Sequence, residues 1–282
     1  MRAVGFTPKR LKMSAADAPI LIFDSGIGGL SVLRATQRLL PQAPIVYAAD
    51  YAAMPYGQKS EVEIAGRVPA ILGRLSERYQ PSLICIACNT ASTIALPAVR
   101  AALEVPIVGT VPAIKPAALQ SRSRVIGLLG TAATIRQPYV DLLANQFASD
   151  ARLLRFGAPD LVHAAEVRLS GGNPDPAIFD AAINGLLYQD GQDMDMIVLA
   201  CTHFPLVQDD LAAAAVRAGL TPQLGFVDGS GGIARRIAHL SEGRDWPSIL
   251  PPGQFVTTGD PDALKPYHNQ LIDFGLTQIK SL

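Results

Sequence analysis

The sequence predicts an α/β protein of two pseudo-symmetric, doubly wound domains with mainly parallel sheets and an active site in the cleft between them. Three observations point there. Short, continuous apolar runs alternate with Ala/Leu/Arg segments of helical spacing, the pattern of strands covered on both faces by crossover helices. The 282 residues, 49% of them hydrophobic, suffice for two packed domains. An approximate repeat relates them: SLICIAC at 82–88 is matched by DMIVLAC at 195–201, and LIFDSGIGGLSVL from Leu21 by IGLLGTAATI from Ile126. The offsets are similar, 113 between Cys88 and Cys201 and 107 between Asp24 and Thr131, so two like halves would bring two Ala-Cys strand ends to one cleft.

In chain order, a strand at 20–23 leads through FDSGIGG to a helix at 30–40, and a strand at 45–48 leads through MPYGQKS to a helix at 61–79. The strand at 83–87 passes through Cys88 into a helix at 91–103, and that at 125–129 turns on small residues into a helix at 135–147. A strand at 152–156 precedes a helix at 176–188; strands at 196–200 and 225–227 lead through CTHFP and DGSGG to helices at 206–218 and 232–240. The reading divides the chain into a first domain at 19–112 plus 225–282 and an inserted second domain at 113–224. Residues 1–18 carry four basic groups and no apolar run long enough for a signal or membrane segment, so they read as a flexible leader within which Met13 is an alternative start.

Lys plus Arg and Asp plus Glu each number 24. With no long run of either sign, neither a membrane surface nor direct nucleic-acid binding is expected, and a small-molecule substrate is. Three unevenly placed cysteines do not make a secreted disulfide framework. They fit a reducing compartment, where they persist as thiols.

In parallel α/β sheets ligands sit beyond the carboxyl ends of the strands, so candidate residues are those just after each strand. Cys88, in IACNTAS, stands where a strand gives way to a helix, whose free N–H groups and dipole favour thiolate. Alone it reads as a buried core cysteine. Cys201, in ACTHFP, has the same placement, with Pro205 suited to an early helical position, and two cysteines in matching contexts point to function. His203 is placed to set the protonation of Cys201, or to cap a helix. C-x-x-C at Cys85–Cys88 and C-x-H at Cys201–His203 admit a zinc or dithiol reading. Against it, Cys85 lies inside the strand and faces opposite to Cys88, which makes Cys85 core.

FDSGIGG is not a dinucleotide fingerprint, because G-x-G-x-x-G is unmatched. Its Asp24-Ser25 pair suits a substrate carboxylate on Ser25 and the amides, with Asp24 on an ammonium or tuning a thiol. The Pro55-Tyr56-Gly57 turn offers backbone groups of the same kind, or is an ordinary surface turn. His163, His239 and His268 read as surface. Glu166, an isolated acid in APDLVHAAE, reads by itself as solvated.

Together FDSGIGG, PYGQKS, CNTAS, GLLGTAATI, CTHFPLV and the late TGDP at 258–261 resemble the glutamate racemase family, within the wider aspartate/glutamate racemase group, from about Pro19 to the end. The resemblance implies an enzyme independent of pyridoxal phosphate, with neither cofactor nor metal, that interconverts L- and D-glutamate for peptidoglycan synthesis in the cytoplasm. Cys88 and Cys201 fall on the paired acid/base thiols, assisted by Asp24 and His203. Substrate contacts fall on Asp24, Ser25, Pro55, Tyr56, Gly57, Asn89, Thr90, Thr131, Thr202 and His203. Glu166 matches an acid near the substrate amine, although HAAE departs from the usual pattern. Cys88 is expected to deprotonate D-glutamate and Cys201 L-glutamate, and family members commonly pair as homodimers. The competing readings are racemisation of aspartate, a regulatory protein that sequesters a partner such as a topoisomerase, and a metal-dependent hydrolase.

Overall fold

The computed structural model describes residues 16–282, so the leader up to residue 15, Met13 included, lies outside the described residues. Strands β1 (Ile20–Asp24), β2 (Ile45–Ala49), β3 (Leu83–Ile86), β4 (Ile107–Val108), β5 (Val125–Gly130), β6 (Arg152–Gly157), β7 (Met196–Ala200), β8 (Gly225–Asp228), β9 (Gly253–Thr257) and β10 (Leu276–Ser281) form two sheets. The first has the order β10-β9-β2-β1-β3-β4 and the second β6-β5-β7-β8, with every neighbouring pair parallel. The order β6-β5-β7-β8 is that of β2-β1-β3-β4 with each strand number raised by four. The repeat seen in the sequence is thus a repeat of topology, and β9 and β10 extend the first copy only.

Between the strands lie α1 (Leu30–Leu39), α2 (Glu61–Tyr79), α3 (Asn89–Ala102), α4 (Ile114–Gln120), α5 (Ala132–Ile135), α6 (Pro138–Phe147), α7 (Asp160–Leu169), α8 (Pro176–Leu187), α9 (Gln208–Arg217), α10 (Ser230–Leu240) and α11 (His268–Asp273). The strands read as unbroken apolar runs because both faces are covered. In β1, Ile20 and Ile22 pack with Leu30 and Leu33 of α1 and Ile233 and Ile237 of α10. Leu21 and Phe23 pack on the other side with Ile64 and Val68 of α2 and Ala91 and Ala95 of α3. The second sheet repeats this division, Ile197 and Leu199 facing α7, α8 and α9 while Ile126 and Leu128 face α4 and α6.

Three expectations need correction. The single helix read at 135–147 is two, because Pro138 cannot donate an N–H within a helix and biases Gln137 to extended backbone; Gln137 has ψ 133° and α6 starts at Pro138. The strand read at 225–227 and placed with the first domain pairs with β7, so the chain leaves the second sheet only after Asp228. Last, the sequence carries no strand signal for β4, β9 and β10: β4 has two residues, and the exposed and half-exposed residues of β10 lack a continuous apolar run.

Candidate active site

A doubly wound sheet opens a crevice where successive strands depart to opposite sides of a first one. In the first sheet that point lies between β1 and β3, and their carboxyl ends deliver Asp24 and Cys88. Asp24, fully buried, accepts the Gly26 N–H at 3.0 Å and, more weakly, the Ser25 hydroxyl at 3.4 Å. Its second oxygen accepts the Thr202 hydroxyl at 3.0 Å, reaching into the second half. Burial pushes its carboxyl up, against the opposing pull of His203 and these hydrogen bonds.

Cys88 is the N-cap of α3, its sulfur accepting the Ala91 N–H at 3.5 Å and lying 3.9 Å from the Ser25 hydroxyl. A helix start by itself favours thiolate. Instead burial, then the charge of Asp24, pushes the thiol well up, and the Ala91 and Ser25 hydrogen bonds offset only part of this. Cys85 is buried on the opposite face, among Ile20, Ile22 and Val108, so the C-x-x-C pair is split across the sheet. Among the described residues no three His, Cys, Asp or Glu side chains group as a metal would require.

The second half builds the corresponding position differently. After β7 come Cys201, Thr202 and His203, all buried, and then a 3-10 turn, Phe204–Val207, in which Pro205 takes an early position. No α-helix starts at Cys201 as one does at Cys88. In its place His203 supplies polarity: Nδ1 lies 4.0 Å from the Cys201 sulfur and Nε2 3.1 Å from Glu166 Oε1. Burial opposes a charge on this ring, but the contacts to Cys201 and Glu166 prevail and push it up to about 10. Glu166 is 6% exposed, so its reading as a solvated acid is overturned. Burial would raise its carboxyl, yet hydrogen bonds from His203, Tyr267 and Tyr51 hold it below the ordinary carboxylate range.

The remaining candidates line the seam between the halves. The Thr90 hydroxyl meets those of Thr131 and Thr134 at 3.2 and 3.3 Å. Gly57 lies so close to Thr131 that an added Cβ would come within 2.8 Å of it. Asn89 is buried at the start of α3. Pro55 borders a cleft of about 360 Å³ shared with Met54, His163, Glu166 and Tyr267. Tyr56 turns its side chain away from the seam, its hydroxyl donating to Asp50 at 2.6 Å, so only its backbone is available for the role foreseen. His163, His239 and His268 are exposed, as read. A second cavity of about 900 Å³, bordered by Lys115, Tyr139, Phe147 and Arg235, touches none of these candidates.

Sequence reasoning missed a clamp under the Pro55–Gly57 turn. Asp50, buried beyond β2, takes two hydrogen bonds from Arg67, at 2.5 and 2.7 Å, and others from Tyr56 and Thr258. These bonds outweigh burial and hold its carboxyl low. Inspecting every residue beyond a strand end would have found Asp50, which follows β2; Thr258 follows β9, for which the sequence gives no strand signal. Tyr51 and Tyr267, which both donate to Glu166 Oε2, at 3.0 and 2.7 Å, carry no local signal.

The chain matches the Asp/Glu/Hydantoin racemase family over residues 30–229. It is 57% identical over 269 residues to a glutamate racemase of Sphingopyxis alaskensis, covering 95% of this chain and 98% of that one. A glutamate racemase of Shewanella sp. strain MR-4 is 42% identical over 222 residues, 79% of each chain. Among solved structures, Escherichia coli glutamate racemase in complex with L-glutamate and the activator UDP-MurNAc-Ala aligns with a TM-score of 0.83 at 36% identity, covering 94% of this chain and 98% of that one.

Proposed function

The chain belongs to the Asp/Glu/Hydantoin racemase family, and on that premise we propose that it interconverts L- and D-glutamate by passing the α-proton between Cys88 and Cys201. It is an isomerase. The observation that carries the thiol assignment is the placement of the two cysteines after repeat-related strands β3 and β7, with Asp24 hydrogen-bonded across the seam to the residue after Cys201.

An amino-acid α-C–H is a very weak acid, and inversion requires a base on one face and an acid on the other. One sulfur, as thiolate, removes the proton and becomes a thiol. The other delivers its proton to the opposite face and becomes a thiolate. The pair is thereby exchanged and set for the reverse reaction. Cys201 acts on L-glutamate and Cys88 on D-glutamate. His203, with Nδ1 4.0 Å from the Cys201 sulfur, is the counter-charge available to that sulfur in the step in which it carries the charge, while burial favours the thiol at Cys88. Asn89 and Thr90 at the start of α3, with Ser25, Thr131 and Thr202, receive the substrate carboxylates and the charge that spreads into them on deprotonation. The chain itself supplies base and acid, so the reading calls on no cofactor.

We further propose a cytoplasmic homodimer that supplies D-glutamate for peptidoglycan. No helix among the described residues is long and apolar enough to cross a membrane. The test is polarimetry with L-glutamate and L-aspartate. Loss of rotation with glutamate supports the reading, whereas loss with aspartate alone moves the substrate to the shorter acid.

A further inference from the structure

Glu166 stands on α7 in the second half, but two of its three hydrogen-bond donors come from the first. Tyr51 follows β2, and Tyr267 ends the 3-10 segment Pro261–Tyr267 that follows β9. Both hydroxyls converge on Oε2, at 3.0 and 2.7 Å, while Oε1 faces His203 Nε2 at 3.1 Å. A carboxylate so buried is unstable as an anion unless its lone pairs are filled. One oxygen is satisfied within its own domain and the other across the cleft. Separating the halves would strip Oε2 of both donors and leave His203 beside a carboxyl with less reason to stay charged. Domain contact thereby reaches Cys201 through a defined chain: the Tyr51 and Tyr267 hydroxyls, Glu166, His203 and the sulfur.

We propose that Tyr51 and Tyr267 are positioning residues which, across the cleft, fix the Glu166 carboxylate against His203, so that closing the domains and readying Cys201 for proton transfer are one event. This rests on the racemase reading. It differs from the role of Ser25, whose hydroxyl lies 3.9 Å from the Cys88 sulfur within the first domain.

The test uses Tyr51→Phe, Tyr267→Phe and the double variant, which remove one or both hydroxyls and keep the rings. Hydrogen bonds to a charged group carry enough free energy that each single change is expected to lower kcat on the order of tenfold, and the double change by more than either. A general packing defect would slow both proton steps alike, so the deciding readout is the α-deuterium isotope effect on kcat/KM for each enantiomer. Cys201→Ser first identifies which enantiomer Cys201 deprotonates, by loss of its α-proton exchange. In the tyrosine variants the isotope effect should rise for that enantiomer and fall for its mirror image, because the Cys201 step has become more limiting. Unchanged isotope effects, with or without a loss of rate, overturn the proposal, as does a shift on the Cys88 side. Should the double variant fold poorly, the single ones make the same comparison. An inactive wild-type protein would instead defeat the racemase reading itself.

Discussion

The ends of β3 and β7 are copies of one design, yet the structure finishes them differently. Beyond β3, Cys88 caps a 14-residue helix and is served by Ser25 and Asp24 of its own domain. Beyond β7, Cys201 meets only a 3-10 turn, and a buried His203–Glu166 pair stands in for the helix. A symmetric pair of sulfurs would have no preferred resting state. Here burial favours the thiol at Cys88 while Cys201 has a protonatable ring beside it, so the two-fold repeat is broken where the proposed reaction requires an acid and a base to be distinct.

The largest effects should come from erasing either end. Cys88→Ala or Cys201→Ala removes one of the two proposed general acid/bases, and racemisation should fall on the order of a thousandfold or more. Because the two enantiomers have equal free energy, kcat/KM must fall equally in both directions for each variant; a chiral assay from both sides checks this. His203→Asn should act on one end only. We expect a loss on the order of a hundredfold, with the alkaline limb of the kcat profile altered, since the contacts to Cys201 and Glu166 push the ring up to about 10.

Next in size are changes that keep the ends apart. An added Cβ on Gly28 would lie 2.5 Å from His203 Nδ1 and 2.6 Å from Thr202 Oγ1. Gly28→Ala should therefore raise KM on the order of tenfold in steady-state kinetics, with far-UV circular dichroism unchanged. The two ends also diverge with pH. His203 binds its proton more tightly folded than unfolded, so its contribution is complete below its unfolded value of about 6.5 and is lost as pH rises toward 10. Asp50 and Glu166 are held low, so theirs is present above the ordinary carboxylate range and lost on acidification. Thermal melts of wild type and His203→Asn from pH 7 to 10 should show the wild type alone losing the His203 part. The smallest effect is in the clamp: Arg67→Met leaves Asp50 buried without its cation. Allowing for an arginine 35% exposed, we expect about 2 kcal/mol of destabilisation by urea titration.

Much of this was legible in the chain. SLICIAC and DMIVLAC gave the repeat, and with it two strand ends facing one cleft, because a fully buried parallel strand must be written as an apolar run and its site must follow it. The asymmetry was less so. Whether Cys201 begins a helix depends on how far the chain turns at Thr202-His203-Phe204, which Pro205 does not decide. That Glu166 is buried depends on Tyr51 and Tyr267, 115 and 101 residues away in sequence, and no local pattern records a contact of that range. The polarity of the Cys88 thiol was misjudged for a related reason. The helix end is visible in IACNTAS, but the desolvation that outweighs it is a property of the assembled core.

The most direct test of two unlike thiols acting from opposite faces is racemisation of L-glutamate in D₂O, stopped at low conversion and analysed by chiral separation with mass spectrometry. The account predicts α-deuterium throughout the D-glutamate formed and little or none in the L-glutamate recovered, because the proton leaves to one sulfur and its replacement comes from the other. Deuterium entering both enantiomers at equal rates from the outset would mean a single group serving both faces, and would contradict it.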